Sequence, residues 1–232
     1  MDREQLRELR RHVSMVFQGG ALFDSMNVFE NVTYALREHT KMSDEEMLER
    51  AKECLDMVGL GYDPDIMYRF PAGLSGGMRK RAALARSIAI KPEVILYDEP
   101  TTGLDPANIK RIGEMIKKLQ KELHVTSIVV THDMPIAFKC SDRIAMLHQK
   151  KFPFIGTVDE IKNSPENNPP ASQNPVKDRI TKPVANATVH TRGLASARVL
   201  IGRALNSRSF RSLGSTYPYD DVFPPPGPKV TP

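Results

Sequence analysis

The sequence predicts a layered α/β domain with a parallel sheet in residues 1–162 and a mostly disordered tail in residues 163–232. In the first part, short apolar runs alternate with amphipathic stretches of helical period, as in a sheet covered by helices. The tail contains 11 of the 18 prolines and no sustained apolar periodicity. A segment that cannot bury apolar surface does not offset the entropy of its own ordering, which is why we expect disorder there.

Three strands and three helices are predicted within residues 1–162. The strands are Val13 to Phe17, Val94 to Tyr97 and Thr126 to Val130. Val94 to Tyr97 is apolar throughout, which is typical of a strand covered on both faces. The helices are expected over residues 43–59, 75–90 and 107–123. The first of them starts with Ser43 and Glu46 at the spacing of a capping box and ends at Gly59.

The composition limits where the chain can act. No apolar run approaches the roughly 20 residues that span a bilayer, and the charged N-terminus lacks the apolar core of a signal peptide. We therefore expect a cytoplasmic protein whose contact with a membrane is indirect. Cys54 and Cys140 are too few for a disulfide framework or a cysteine-based zinc site, so both are expected to be buried thiols.

The net charge of +5 belongs to the tail. Residues 163–232 contain nine Lys/Arg and four Asp/Glu, so residues 1–162 carry no net charge. We expect no nucleic-acid partner for the folded part. Within the tail, residues 193–205 could form a basic helix, interpreted either as a membrane or nucleic-acid contact or as incidental local helicity.

Two clusters of residues suggest chemistry on a phosphate. Asp98 and Glu99 follow a buried strand, where one carboxylate could hold Mg²⁺ through water and the other could deprotonate an attacking water. Alone, they could equally cap a helix. Ser75, Gly76 and Gly77 place a hydroxyl and bare amides at a helix start, which suits an anion but is also ordinary N-cap chemistry.

Together with Gln18, Asp105 and His132, these residues make the chain resemble the nucleotide-binding subunit of ATP-binding-cassette (ABC) transporters from residue 3 to about 162. Leu74-Ser-Gly-Gly-Met78 resembles the signature motif, Ile95-Leu-Tyr-Asp-Glu-Pro100 the Walker B strand, and Gly103-Leu-Asp105 the D-loop. The resemblance implies a P-loop NTPase-like core with a helical subdomain at about residues 24–90. It also implies ATP and Mg²⁺ as ligands.

The resemblance implies a role for each matching residue. Gln18 would sense Mg²⁺ and the terminal phosphate, Asp98 would hold the metal through water, Glu99 would be the general base, and His132 would steady the transition state. The residues that would face the ATP of a second ABC ATPase are Ser75, Gly76, Gly77 and Asp105.

A narrower resemblance lies between Phe17 and Thr40, which is similar to the ATPases of MCE-type (Mla-like) lipid transporters. It implies permease docking through the segment after Gln18. The candidate contacts are Leu22, Phe23, Met26, Val28 and Phe29. For each of them, the alternative is a local apolar core under a loop.

One expected element is missing from the sequence. No Gly-x-x-x-x-Gly-Lys-Ser/Thr string occurs, although such a loop supplies the amides, the lysine and the hydroxyl that grip phosphates and Mg²⁺. The resemblance places this loop and an N-terminal β-subdomain well upstream of Gln18. We therefore expect an incomplete cassette, from truncation or a misplaced start codon, that does not hold ATP tightly by itself.

Three functions remain open. The first is the ATPase subunit of a transporter for lipid or another hydrophobic substrate, peripheral on the cytoplasmic face of the membrane and working with a permease and a second ABC ATPase. The second is a non-catalytic subunit that binds a permease or an intact ATPase and regulates it. The third is a soluble ABC ATPase of ribosomes or DNA, but the twin cassettes or coiled-coil insertions usual in that class are absent.

Overall fold

A computed structural model describes residues 2–148, 151–163 and 186–190. The helices in these ranges are α1 (Arg3–His12), α2 (Val28–His39), α3 (Asp44–Met57), α4 (Gly76–Ala89), α5 (Pro106–Leu123), α6 (Met134–Cys140) and α7 (Val158–Lys162). The strands are β1 (Val13–Val16), β2 (Val94–Asp98), β3 (Thr126–Thr131), β4 (Arg143–His148), β5 (Lys151–Thr157) and β6 (Asn186–His190). The mixed α/β fold class predicted from the sequence is confirmed.

The strands form one sheet in the order β1-β2-β3-β6-β4-β5. β1, β2 and β3 are parallel, with Val16 opposite Tyr97 and Asp98 opposite Val130. β6 runs antiparallel to both β3 and β4, and β5 is antiparallel to β4. The carboxyl ends of β1, β2 and β3 therefore lie side by side at one edge of the sheet.

Local capping signals explain where the helices begin. α2 and α3 start with reciprocal capping boxes in which Asn27 and Ser43 are the N-caps. α5 starts at Pro106 after the N-cap Asp105, and it ends at His124 in the left-handed region with φ 53°. The helices predicted over residues 43–59, 75–90 and 107–123 are confirmed, with ends shifted by one or two residues.

A continuous apolar core joins the helices α2, α3 and α4 to α5 and the sheet. Arg50 of α3, only 6% exposed, crosses this region. Its guanidinium donates to the carbonyls of Ala89 at 2.9 Å and Ile88 at 2.7 Å, and it pairs with Glu53. The bond to Ala89 satisfies one of the last carbonyls of α4, and the bond to Ile88 adds to the one that its carbonyl accepts from the Lys91 N–H. Both bonds offset the cost of burying a cation.

Several elements are not among those predicted from the sequence. They are α1, α2, α6, α7 and the β4–β5 hairpin, although capping boxes that start at Asp2, Asn27 and Thr157 mark the beginnings of three of these helices. In the tail, the structure describes residue 163 and residues 186–190, and the latter form β6 rather than disordered chain. The expected disorder elsewhere in the tail and the expected basic helix at 193–205 lie outside the described residues. Among the described residues, no helix is both long and apolar enough to cross a bilayer.

Candidate functional site

Four sequence-predicted residues lie at the carboxyl edge of the parallel strands. Gln18 lies two residues beyond β1, Glu99 directly follows β2, and His132 directly follows β3. Asp98 is the last residue of β2 and is half-buried, while the Gln18 side chain is exposed. Ligands in open α/β sheets bind at this edge, so the fold assembles the four residues where a ligand is expected.

Glu99 is held in a defined position. Its φ of 45° lies in the left-handed region that favours glycine, and its backbone N–H donates to the Val130 carbonyl at 2.9 Å. Its carboxylate accepts bonds from the backbone N–H of His132 at 3.1 Å and from the Thr102 hydroxyl at 3.2 Å. A non-glycine residue in this region costs about 1–3 kcal/mol and is typical of functional sites.

The Glu99 carboxylate also faces the His132 ring. His132 Nδ1 lies 2.8 Å from Glu99 Oε2, which requires the proton on Nδ1 for a hydrogen bond. The Glu99 side chain is 19% exposed, whereas that of His132 is 56% exposed. A second polar atom of the histidine, Nε2, is therefore free to face a ligand from the solvent side.

Lys80 on α4 adds a cation to this edge. Its ammonium donates to the Gln18 carbonyl at 3.0 Å. Partial burial lowers the pKa of Lys80, and the negative charge of Glu99 opposes that shift. Nothing in the sequence pattern singled out Lys80, because one lysine in a basic helix looks like solvated surface.

The signature-like residues lie at the start of α4, beside the D-loop-like residues that precede α5. Ser75 caps α4, its hydroxyl accepting from the Met78 N–H at 3.2 Å. Asp105 caps α5 and accepts from Asn108. A Cβ placed on Gly77 would lie 3.1 Å from Asn108 Oδ1, so the first turns of the two helices are in contact. The two predicted motifs thus form one surface.

Comparison with known proteins identifies the family. A family model described as ABC transporter matches residues 1–102. The dimeric structure of the ATP-binding cassette MJ0796 bound to ADP and Pi is 35% identical, with a TM-score of 0.61 and coverage of 68% of each chain. This chain belongs to the ABC transporter ATPases.

Two curated relatives indicate the branch of the ABC family that the chain is similar to. The ribonucleotide transport ATP-binding protein mkl of Mycobacterium leprae is 39% identical over 163 residues, covering 70% of this chain and 46% of that protein. The intermembrane phospholipid transport system ATP-binding protein MlaF of Escherichia coli K12 is 40% identical over 166 residues, covering 72% of this chain and 61% of that protein. The chain thus spans roughly half of their length.

The loop after Gln18 is hydrogen-bonded to α4, the helix that begins with the signature-like residues and is called the signature helix below. Arg86 of α4 donates to the carbonyls of Gly20 at 2.9 Å and Ala21 at 2.7 Å, and its guanidinium lies 5.6 Å from the centre of the Phe23 ring. Gly20 has φ 80°, and a Cβ on it would lie 3.3 Å from Ala83. The loop therefore packs against α4 with no space for a side chain at residue 20.

The five docking candidates fall into different environments. Phe23 is 42% exposed and packs against Tyr34. Leu22, Met26 and Phe29 are half-buried. Val28 is fully buried in the core, which favours the alternative of a local core residue for that position.

Asn31, which no sequence pattern singled out, holds the segment that carries the docking candidates Phe23 and Met26. It is fully buried, accepts from the Phe23 N–H at 2.8 Å, and donates to the carbonyls of Phe23 and Met26. A buried asparagine with all these partners fixes the loop that carries Phe23.

The residues present fit a phosphate and a hydrated metal ion rather than a protein-caged one. In the described part of the chain, no three His, Cys, Asp or Glu side chains converge as ligands. Mg²⁺ keeps several waters and binds proteins through one or two carboxylates plus substrate phosphates, which Asp98 can satisfy at the strand end. In the first turn of α4, Gly76 is exposed and can offer a backbone donor that suits a phosphate, whereas Gly77 is buried in this chain.

Proposed function

We propose that the chain is the ATP-binding subunit of an ABC transporter that moves phospholipid or another hydrophobic substrate through a membrane permease. The observation that carries the proposal is the meeting of Gln18, Asp98, Glu99 and His132 at one sheet edge. Similarity to MlaF, whose name specifies intermembrane phospholipid transport, supports the substrate class. In this arrangement the chain lies peripherally on the cytoplasmic face of the membrane, with its indirect contact made through the permease.

Glu99 is the proposed general base. A carboxylate offers about four lone-pair positions, and three of the bonds to Glu99 come from Thr102 and His132. One position is left for a water, which these bonds orient.

His132 and Gln18 are proposed to contact the phosphate that leaves. With the His132 Nδ1 proton directed at Glu99, an Nε2 proton on the imidazolium can donate to developing phosphate charge. Asp98 is proposed to hold the water shell of Mg²⁺, which when bound neutralises phosphate charge. Gln18 reaches the same region from β1, with Lys80 holding its carbonyl.

The second part of the proposal concerns a partner ATPase. The MJ0796 cassette is dimeric, and the surface formed by Ser75, Gly76, Gly77 and Asp105 is proposed to close over an ATP held by a second ABC ATPase. Because the sequence has no Gly-x-x-x-x-Gly-Lys-Ser/Thr string, the chain is proposed to hold ATP weakly by itself.

The test compares two serine variants in an assembly of this chain with a lipid-transporter permease and an intact second ABC ATPase. Ser75→Ala and Ser43→Ala each remove one N-cap, at a similar cost of about 1 kcal/mol in helix stability. The proposal expects Ser75→Ala to lower ATP turnover at least about tenfold, the size of one lost transition-state contact of 1.4 kcal/mol. Ser43→Ala should leave turnover within about twofold.

If the two serine variants lowered ATP turnover equally, the proposed contact between Ser75 and the phosphate would be wrong. A separate measurement addresses the chain alone. If the purified chain hydrolysed ATP at a rate abolished by Glu99→Gln, its proposed dependence on a partner would be wrong.

A non-catalytic subunit is the second candidate, favoured by the same missing string in the sequence. It expects the chain to co-purify with a permease or an intact ATPase. ATP turnover in that assembly would then be unaffected by Glu99→Gln in this chain, whereas the first proposal expects it to fall.

A further inference from the structure

Asn108 connects two motifs that lie far apart in the sequence. Its backbone N–H donates to Asp105 Oδ1 at 3.0 Å and its side-chain Nδ2 donates to Asp105 Oδ2 at 2.5 Å. Both oxygens of the D-loop carboxylate are therefore bound by one residue. These bonds also lower the pKa of Asp105, since they favour the charged form.

The opposite side of the Asn108 amide faces the signature turn. A Cβ on Gly77 would lie 3.1 Å from Asn108 Oδ1, 3.3 Å from Cγ and 3.6 Å from Nδ2. At neighbouring Gly76 the nearest atom would be Leu104 Cδ2, at 3.9 Å. The two glycines thus differ, because an alanine has space at residue 76 but meets the amide at residue 77.

We propose that Asn108 is a positioning residue that couples the D-loop carboxylate to the signature turn. Its amide holds Asp105 with one edge and sets how closely Gly77 can approach with the other. At residue 77 it is the close approach of Asn108, rather than an unusual backbone angle, that opposes a side chain, because a Cβ there would force the Asn108 amide to shift by a few tenths of an ångström. The consequence for the partner's ATP rests on the function proposed above, whereas the coupling of the two motifs does not.

The coupling is tested by a double-mutant cycle on the purified chain, with the midpoint of thermal unfolding, Tm, as the readout. Gly77→Ala should lower Tm when Asn108 is present. In the Asn108→Ala background the same change should raise Tm or leave it unchanged, because alanine is the better helix former once the space is cleared. Gly76→Ala is the matched control and should shift Tm equally in both backgrounds.

Two further measurements separate positioning from simple packing. Asn108→Ala should raise the pKa of Asp105 towards its ordinary value, as followed by NMR titration of the carboxyl, while Asn108→Asp should raise it further by like-charge repulsion. Amide hydrogen exchange at residues 76–78 should become faster in Asn108→Ala. A Gly77→Ala shift that is the same in both backgrounds would overturn the coupling.

The role in the half-site is measured in the assembly with the permease and second ATPase. There, Asn108→Ala should lower kcat at least fivefold with little change in KM for ATP, because the partner holds the nucleotide. Unchanged kcat despite a positive thermal cycle would overturn this role. No turnover with the wild-type chain would instead refute the proposed function, and the thermal cycle would still decide the coupling.

Discussion

Arg86→Ala should release the loop after Gln18 from the signature helix. Arg86 donates to the buried Gly20 and to the exposed Ala21, and it covers the Phe23 ring. Loss of a charged bond to the buried carbonyl costs about 1.5–3 kcal/mol, and loss of the cation–π contact adds about 0.5–1 kcal/mol. Water replaces the bond to Ala21, so that bond adds little. The free energy of unfolding should fall by about 2–4 kcal/mol.

Urea unfolding followed by circular dichroism measures this change, since the chain has no tryptophan for fluorescence. Arg79→Ala is the matched control, because Arg79 is on the same helix but makes one bond, to the Leu74 carbonyl, and is exposed. Its one charged bond also reaches the carbonyl of a buried residue, so its loss should cost about 1.5 kcal/mol, the low end of the same range, because the Arg79 side chain is exposed. Amide exchange at residues 19–23 should become faster in Arg86→Ala alone. Equal losses of stability for both variants, with unchanged amide exchange in the loop, would refute the conclusion that Arg86 holds the loop on α4.

Three other predictions concern the sheet, a helix end and the thiols. Thr188 of β6 pairs with Val129 of β3 and with Ile144 of β4, and Thr188→Pro removes its backbone donor, so the free energy of unfolding in urea should fall by about 1–3 kcal/mol. Thr188→Ala keeps the donor and is the control. Equal losses for the two variants would place β6 outside the sheet. His124→Gly should raise the free energy of unfolding by up to about 1 kcal/mol, because the φ of 53° at His124 favours glycine. A loss of stability would contradict a left-handed cap at the end of α5. Burial raises the pKa of the Cys54 and Cys140 thiols from 9.0 to about 11, so at pH 8 neither should react with a thiol reagent until the chain unfolds. Because the folded chain keeps these protons longer, their contribution to stability is complete below pH 9 and is lost as the pH rises towards 11.

Elements with local signals were predictable from the sequence. The cap at Ser43, the glycine at 59 and the continuously apolar Val94 to Tyr97 each specify backbone geometry within a few residues. β6 could not be predicted, because a strand with only two apolar residues is stabilised by its ladder with β3 and β4 rather than by its own composition. For Val28 the sequence left a docking contact and a local core both open for a related reason, since its burial depends on what packs around α2.

The identities and the order of Gln18, the Ser75-Gly-Gly turn, Asp98, Glu99 and His132 already indicated the family, because several motifs in one order along a chain are very unlikely to arise by chance. Only the tertiary structure decided how they are held. It brought the Thr102 hydroxyl to the Glu99 carboxylate and the Lys80 ammonium to the Gln18 carbonyl. It also brought Arg86 to the Gly20 carbonyl and the Asn108 amide close to Gly77. Lys80, Arg86 and Asn108 have no local pattern to read, because they contact residues far away in the sequence that packing alone brings close.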